Sequence, residues 1–206
     1  MDIHTREYYL DPDGCEGSRE FLISQGEKLS GRSASVFAEI QNIDGGVFLN
    51  LGCGRGELSL HLKKKAKRVV SVDYSTAAIE ISRKILGKAE VIQADIVEFL
   101  PRFETEPFDG ILMIDIAEHL FDWELKIVFN NVARLLKPGG HLYIDTPISS
   151  NRSRYSRMHV NIKQTSTQYL IFLPGFTLEK EKVTDPRGKN HLIILRNDKA
   201  KKGSGL

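Results

Sequence analysis

The feature that most constrains the fold of this 206-residue chain is a strand-like run followed by closely spaced glycines, between Val47 and Leu60. Val47–Leu51 is mostly apolar, the glycine-rich segment Gly52–Gly56 follows at once, and a helical pattern begins at Glu57. Glycines permit positive φ and let a ligand approach the backbone without meeting a Cβ, and the start of a helix offers unpaired N–H groups. The stretch is therefore typical of a nucleotide-binding turn in an α/β fold.

The spacing of the glycines narrows the choice of nucleotide. A dinucleotide-binding turn reads G-x-G-x-x-G and would need a glycine where Glu57 stands, and no Lys-Ser/Thr pair follows to make a P-loop. The pattern G-x-G-x-G, with Gly52, Gly54 and Gly56, resembles motif I of the class I S-adenosylmethionine-dependent methyltransferases, usually written (D/E)-x-G-x-G-x-G. One position departs from that motif: Asn50 stands where the family has an acidic residue that helps hold the methionine end of the cofactor.

Two later strand ends extend the resemblance. The strand Arg68–Val72 ends in Asp73, about 20 residues beyond the first glycine, which is the offset at which a carboxylate meets a ribose diol. In the resembled family, the aspartate after the third strand, here Asp95, meets the adenine amine, and the next backbone N–H meets a ring nitrogen. The alternative is that Asp95 serves as the N-cap of the short helix that follows it. The resemblance implies S-adenosyl-L-methionine as cofactor, with predicted binding residues Asn50, Gly52, Cys53, Gly54, Gly56, Asp73, Tyr74, Asp95, Ile96 and Asp115.

Strands and helices alternate along the chain, which predicts an α/β fold with a doubly wound, mostly parallel sheet. The run L-L-K-P-G-G-x-L at 135–142 resembles the turn before the fifth strand of this superfamily, and 175–183 with 191–196 look like its closing antiparallel hairpin. The resemblance implies seven strands in a Rossmann-like methyltransferase fold. The pattern predicts helices over 33–40, 57–65, 75–86, 165–172 and from Asp122, and strands over 68–72, 90–94, 108–114 and 141–145.

The sequence pattern and the resemblance together predict three segments of the chain. Residues 1–32, polar and irregular through position 30, form an N-terminal arm that covers the active site, as residues before the first strand often do in the resembled family. Tyr8, Tyr9 and Phe21 are candidates for the wall of an acceptor pocket, and the alternative is an arm packed on the surface. Residues 33–197 form one methyltransferase domain, and 198–206 form a disordered tail.

Composition argues against several classes of protein. Lys and Arg together number 29 against 27 Asp and Glu, so nothing in the charge demands nucleic acid or an anionic membrane. The two cysteines make neither a disulfide framework nor a zinc site on their own. No apolar run approaches membrane-spanning length and no signal-peptide core opens the chain, which favours a cytoplasmic location.

Methyl transfer from a sulfonium is an in-line displacement on an activated carbon, so the enzyme mainly aligns the reactants and excludes water. A base is needed only where the acceptor arrives protonated. His119, just past the fourth strand, is the candidate base because its pKa range suits proton removal at neutral pH. The alternative is that His119 only holds its loop. Asp115, at the carboxyl end of the same strand, is the second candidate catalytic residue.

The spacing Asp115-x-x-Glu118-His119 is similar to the E-x-x-E-H metal site of the ubiquinone-pathway O-methyltransferases and the small-RNA 3′-end 2′-O-methyltransferases, with His159 as a possible further ligand. Two carboxylates and an imidazole suit a hard ion such as magnesium. The first ligand here is Asp, whose stem is shorter than that of Glu, and Glu-His-Leu also follows the fourth strand in metal-free relatives. The predicted site therefore includes no metal, and the question stays open.

The resemblance implies transfer of a methyl group to an oxygen or nitrogen of a small-molecule acceptor. Arg152, Arg154 and Arg157 lie where this family often recognises its acceptor, so they are either a clamp for an anionic acceptor or a solvated loop. The alternatives are an RNA or protein methyltransferase, which near-zero net charge makes less favoured, and a non-catalytic protein that binds the cofactor. The sequence does not indicate an oligomeric state.

Overall fold

The computed structural model describes residues 4–88, 90–148, 159–163, 165–185 and 187–199. Within these residues the strands are β1 Val47–Leu51, β2 Arg68–Asp73, β3 Val91–Gln93, β4 Phe108–Ile114, β5 Leu136–Pro147, β6 Phe176–Val183 and β7 Asn190–Asn197. They form one sheet in the order β3-β2-β1-β4-β5-β7-β6. The first five strands are parallel, and β7 pairs antiparallel with β5 and with β6. The predicted fold class is confirmed.

The helices flank this sheet. They are α1 Arg6–Leu10, α2 Ser18–Ser24, α3 Gly31–Phe37, α4 Glu57–Lys63, α5 Thr76–Leu86, α6 Ile96–Phe99, α7 Asp122–Leu135 and α8 Ser166–Leu170, with 3₁₀ turns at Leu100–Arg102 and Ala117–His119. In the part of the chain that the structure describes, every helix is too short or too polar to cross a bilayer.

Both faces of the sheet are covered, as the apolar strands require. All five residues of β1 are buried, which is the pattern of a central parallel strand. Because side chains alternate along a strand, Leu49 and Leu51 enter a core shared with α6 and α7. Phe48 points to the opposite face and enters a second core with α3 and α4. The strand therefore anchors the glycine-rich segment that follows it.

The strand order fixes where a ligand can bind. The chain runs from β1 outward to β2 and β3, then returns to β4 on the other side of β1. At such a reversal the connections leave the sheet in opposite directions, which opens a crevice at the carboxyl ends of the two central strands. The ends of β1 and β4 are the glycine-rich segment and Asp115, respectively.

Residues 4–30 are less irregular than the sequence indicated. Helix α1 begins after Thr5, whose side chain accepts a hydrogen bond from the Tyr8 N–H. Tyr9 and Phe21 are buried in a small apolar cluster with Ala78 of α5. Helices of five and seven residues are too short to be stable alone, so this tertiary contact supplies their stability.

Strand β5 is longer than predicted. Leu136 already pairs with Phe108, and the pairing resumes at His141 opposite Gly110 after an irregularity in register. The Lys-Pro-Gly-Gly segment, which was predicted to form the turn before the fifth strand, therefore lies within the strand. The boundaries of the N-terminal arm and the main domain stay predictions, and of the predicted disordered tail, residues 200–206 lie outside the described residues.

Candidate active site

A cavity of about 760 Å³ lies at the carboxyl-terminal edge of the sheet, where β1, β2 and β4 end. Pockets of roughly 300–1,000 Å³ bury most of the surface of a drug-sized ligand. Every predicted cofactor residue except Gly56 lines this cavity, and His119 lines it as well. Residues separated widely in sequence therefore meet around one space.

The glycine turn, Gly52–Gly56, is held open by its backbone conformation. Gly52, Gly54 and Gly56 have φ of +69°, +54° and +91°. The N–H groups of Gly52 and Cys53 both donate to the carbonyl of Val72, at 2.8 and 3.0 Å. These bonds fasten the turn to the end of β2.

Gly54 and Gly56 have different surroundings. A Cβ on Gly54 would have only Tyr9 Cε1 within 4 Å, at 3.7 Å, so this face of the turn is open to the cavity. A Cβ on Gly56 would lie 3.0 Å from Leu86 Cδ1. Gly56 therefore permits close packing of the turn against α5, which explains why it does not line the cavity.

Asp73 connects the glycine turn to β2 through its carboxylate. Its Oδ2 accepts the Gly54 N–H at 2.8 Å and its Oδ1 accepts the Ser75 N–H at 2.9 Å. The side chain is buried, and the two bonds fix its orientation at the cavity wall. Because an ionised carboxylate offers about four acceptor positions, this group is suited to hold hydroxyls.

Asn50 is buried in the cavity wall, at the position where motif I has an acidic residue. Its Nδ2 donates to Ser59 Oγ at 3.0 Å, and Ser59 Oγ accepts from Ser71 Oγ at 2.8 Å. Both neighbours are neutral hydroxyls, and burying a charged carboxylate among them would carry a desolvation cost. The amide is thus matched to its neighbours on α4 and β2.

Another part of the cavity wall is built by Asp95, Ile96 and Tyr74. Asp95 is exposed, and its Oδ1 accepts the Val97 N–H at 2.8 Å. It therefore caps the N-terminus of α6, which is the alternative role given in the sequence analysis. Ile96 is buried beside it. Tyr74 is half exposed, and its hydroxyl is hydrogen-bonded to His4 Nδ1. The N-cap role and a place in the cavity wall coexist at Asp95.

Cys53 is buried in the glycine turn, and burial raises the pKa of its thiol well above the usual range. A thiol that stays protonated is a weak nucleophile. Its place in the turn agrees with a packing role.

Arg32 dominates the other end of the cavity, and the sequence analysis did not identify it. Its Nη1 donates to Asp115 Oδ1 at 2.7 Å and to Asp145 Oδ1 at 2.8 Å, and Nη2 also bonds Asp115. Its Nε lies 3.1 Å from Glu16 Oε2. One buried guanidinium from α3 therefore joins the ends of β4 and β5 to the loop before α2.

The ion pairs set the charge of these carboxyls. Burial raises the pKa of Asp115, but the adjacent Arg32 outweighs it, and the net pKa lies below the usual range. Burial raises the pKa of Asp145 and is only partly offset by Arg32. Asp115 also has a φ of +55°, a conformation that costs energy in a residue with a Cβ. The Arg32 contact holds it there.

Glu118, His119 and His159 gather beside Asp115. The imidazole rings of His119 and His159 meet edge to face with centroids 5.1 Å apart. His159 Nδ1 is buried without a hydrogen-bond partner among the described residues. Glu118 is 1% exposed, its Oε2 accepts from Thr146 Oγ1 at 3.3 Å, and burial followed by the charge of Asp115 raises its pKa well above the usual range.

Residues 4–24, here called the covering segment, contribute part of the cavity wall through residues between His4 and Glu16. Arg55 of the glycine turn donates from Nη1 to Tyr9 O at 3.2 Å and Ser18 Oγ at 2.8 Å, and from Nη2 to Glu16 O at 2.8 Å. His4, Tyr8 and Tyr9 line the cavity. Phe21, which was also proposed as a pocket wall, packs against α5 instead.

Two cations lie at the rim of the cavity. Arg187 and Lys189 line the cavity and are exposed, and Arg187 Nε is 3.3 Å from Asp185 Oδ1. The arginines that the sequence analysis proposed as an anion clamp, Arg152, Arg154 and Arg157, lie outside the described residues.

Comparisons with known proteins agree with this geometry. Residues 49–144 match the family model described as a methyltransferase domain. The chain is 31% identical over 121 residues to an uncharacterized methyltransferase of Anoxybacillus flavithermus, covering 58% of this chain and 56% of the relative. It is 32% identical over 108 residues to a ubiquinone biosynthesis O-methyltransferase of Xylella fastidiosa, covering 50% of this chain and 43% of the relative. The chain thus spans about half the length of these curated relatives.

A solved structure extends the comparison to the whole fold. The N-methyltransferase NodS from Bradyrhizobium japonicum, in complex with S-adenosyl-L-homocysteine, superposes with a TM-score of 0.66 at 20% identity, covering 94% of this chain and 97% of that one. The matched domain model includes β1, the glycine turn and β4, the elements that build the cavity. Residues 49–144 are thus similar to a methyltransferase domain, and the fold of the chain is that of the solved NodS N-methyltransferase.

Proposed function

We propose that the protein transfers a methyl group from S-adenosylmethionine to an oxygen or nitrogen atom of a small-molecule acceptor. The observation that carries this proposal is the extent of the cavity, which continues from the glycine turn to a second end lined by Arg32, His119 and His159. A protein that only binds the cofactor has no need of that second end.

The residues at the first end fit an adenosyl cofactor. Gly54 leaves room for a ligand to lie against the backbone, the oriented Asp73 carboxylate suits the hydroxyls of a ribose, and Tyr74 and Ile96 offer apolar surfaces for a base. When bound, S-adenosylmethionine supplies a methyl group on a positively charged sulfur. We infer that the predicted cofactor residues hold it, with Gly56 acting through packing of the turn.

At the second end, the chain's own residues would align the acceptor and exclude water. The covering segment supplies Tyr8 and Tyr9 as walls. Asp115, paired with Arg32 and with its pKa lowered, is a poor proton acceptor, so we assign it to positioning. His119 is the group on this wall that is suited to take a proton from an acceptor hydroxyl or ammonium.

The acceptor class is supported by two observations. The named relatives are an O-methyltransferase and an N-methyltransferase, which supports either atom as the nucleophile. Arg187 and Lys189 at the rim would attract an anionic group, which supports an acceptor that carries one. Methylation of RNA or protein remains the alternative, and a cytoplasmic location stays a prediction.

The first test is titration calorimetry with S-adenosylhomocysteine on wild type, Asp73→Asn and the control Asp44→Asn, which changes an exposed aspartate outside the cavity. We expect wild type and the control to bind equally, and Asp73→Asn to lose at least about tenfold in affinity because a charged hydrogen-bond acceptor is removed. Absence of binding to wild type would overturn the proposal.

The second arm measures S-adenosylhomocysteine formation with panels of small phenols and amines, total RNA and a protein extract. Turnover confined to small molecules is the expected result. Turnover on RNA or protein would replace the acceptor class, and cofactor binding without any turnover would favour the non-catalytic alternative.

A further inference from the structure

We propose that Asp185 anchors the ammonium group of a zwitterionic acceptor, a small molecule that carries both a positive nitrogen and an anionic group. This inference rests on the proposed function. Asp185 lies in the turn between β6 and β7, is 5% exposed and lines the cavity. The residues assigned above to the cofactor and to proton transfer do not include it.

The two oxygens of the Asp185 carboxylate have different surroundings. Oδ1 accepts the Arg187 backbone N–H at 2.8 Å and lies 3.3 Å from Arg187 Nε. Oδ2 is buried and has no hydrogen-bond partner among the described residues. A buried acceptor that is left unpaired costs free energy, and a charged one costs more. A donor group on a ligand would remove that cost at Oδ2.

The charge of this carboxylate selects the kind of donor. Burial alone would raise the pKa of Asp185, but the bonds from Arg187 and the positive charges of Arg187 and Arg32 outweigh it, and the net pKa lies below the usual range. An ionised carboxylate only accepts hydrogen bonds. An ammonium group is the donor whose charge strengthens such a bond.

Arg187 is the group that an incoming ammonium would displace. Its side chain is 66% exposed, and among the described residues its guanidinium pairs with no carboxylate other than Asp185. The Nε contact of 3.3 Å is longer than the about 2.7–2.9 Å that is usual for a charged pair. The guanidinium therefore turns into solvent at small cost and leaves the carboxylate to the ligand.

The cations of the same turn would hold the other end of a zwitterion. Lys189 is exposed and lines the cavity, as Arg187 does. The turn thus presents one negative and two positive side chains between Asp185 and Lys189. A zwitterion meets an opposite charge at each of its ends. A simple anion would use only the cations, and a simple amine would use only the carboxylate.

The position of the turn in the sheet favours the acceptor over the cofactor, whose methionine end is also a zwitterion. Strand β7 is three strands away from β1. Adjacent strands lie about 4.8 Å apart, so the turn is roughly 14 Å along the sheet from the end of β1. Most of the predicted cofactor residues follow β1, β2 and β3, which lie in the other direction.

The test measures probe binding to the full chain by ligand-observed NMR, with and without saturating S-adenosylhomocysteine. The probes are ω-aminocarboxylates from glycine to ε-aminocaproate, each with an alkanoate and an alkylamine of matched length. We expect at least one zwitterion to bind about tenfold more tightly than both of its matched probes, because each end adds a charged hydrogen bond. Asp185→Asn should remove the advantage over the matched alkanoate and leave alkanoate binding unchanged.

Arg187→Gln separates recognition from folding because it should move two affinities in opposite directions. Removal of the competing cation should tighten alkylamine binding a few-fold and weaken alkanoate binding, a pattern that a general loss of structure does not produce. The matched control is Asp198→Asn, since Asp198 also pairs with an arginine two positions away, Arg196, and lies outside the cavity. It should bind every probe as wild type does.

Zwitterions that bind wild type no more tightly than the alkanoates would overturn the inference, as would an advantage that survives Asp185→Asn. S-adenosylhomocysteine is also titrated into each protein alone. If Asp185→Asn weakens that binding and leaves the probes unaffected, the anchor serves the methionine end of the cofactor and the assignment to the acceptor is wrong. If wild type prefers the zwitterions but does not bind S-adenosylhomocysteine, the subsite stands and the proposed function fails.

Discussion

The two ends of the cavity are built in different ways. At the glycine turn, the contacts are made by backbone groups within and just after two adjacent strands, such as the Gly52 N–H on the Val72 carbonyl and the Gly54 N–H on Asp73. At the acceptor end, side chains from distant segments meet, with Arg32 reaching partners 83 and 113 positions away. The bonds that fasten the glycine turn to β2 are local, whereas those of Arg32 are long-range and join charged groups.

Because of this difference, mutations at the two ends of the cavity should have different effects. Replacing one of the glycines of the turn alters the shape of a binding surface and leaves the charge balance of the interior intact. A change at the acceptor end leaves buried charges without partners, and such charges are costly. Mutations at the two ends should therefore separate loss of ligand affinity from loss of stability.

The largest expected effect is on stability, from Arg32→Met. Removing one partner of a buried ion pair costs about 3–5 kcal/mol, because Asp115 and Asp145 lose their shared cation. Urea unfolding measures the loss. Arg19→Met, at an exposed pair with Asp13, is the matched control and should leave the unfolding midpoint unchanged.

The difference in stability between wild type and Arg32→Met should depend on pH, and the pKa of Asp115 gives the sign of that dependence. The pKa of Asp115 is lowered in the folded state, so its contribution to stability is present above its unfolded pKa of about 3.9 and is lost as the pH falls through the folded value. The gap between wild type and Arg32→Met should therefore be largest near neutral pH and shrink as acid protonates Asp145 and Asp115, beginning above the ordinary aspartate range because burial raises the pKa of Asp145. A gap that stays constant with pH would show that lost packing, not charge, explains the destabilisation.

The next effect is on affinity, from Gly54→Val compared with Gly45→Val. Both glycines have positive φ, and both lie in open space except for Tyr9 near Gly54, so each substitution strains the backbone by roughly 1–2 kcal/mol. Only Gly54 lines the cavity. We expect similar losses of stability, with at least about 100-fold weaker S-adenosylhomocysteine binding for Gly54→Val alone, as about 2.7 kcal/mol of lost contact would give. Equal affinity losses would trace the effect to folding.

The smallest expected effect is on acceptor binding, from a substitution at the rim of the cavity. Lys189→Ala should raise KM for an anionic acceptor by a few-fold and leave kcat unchanged, because an exposed charge contributes to encounter and loose binding. Lys126→Ala, on the exposed side of α7, is the control. Steady-state rates at two salt concentrations check the charge dependence, and an unchanged KM would remove Lys189 from acceptor recognition.

The sequence predicted the first end of the cavity well because its signals are local. The order of apolar strand, glycines and helix, and then a second strand that ends in Asp73, is written within about 25 residues. The structure places these residues around one cavity, although their contacts with a cofactor stay a prediction. The alternative role of Asp95 as an N-cap was also visible from the residue type.

The second end was less predictable for a physical reason. Nothing around Arg32 marks it, because its partners come from three other parts of the chain. The helices α1 and α2 are stabilised by contact with α5 rather than by their own pattern. Likewise, the early start of β5 depends on Leu136 finding Phe108 on a neighbouring strand. Contacts of this kind join residues far apart in sequence, so they can be identified only once the three-dimensional fold is known.

The position of Arg55 inside the glycine turn has a kinetic consequence. The same few residues that shape the binding surface also fasten the covering segment, through bonds to Tyr9, Glu16 and Ser18. Any ligand that leaves past this segment must wait until those bonds open together. Opening of the segment, and not the chemical step, would then limit the rate of turnover. A burst of product in the first cycle would be the kinetic evidence for it.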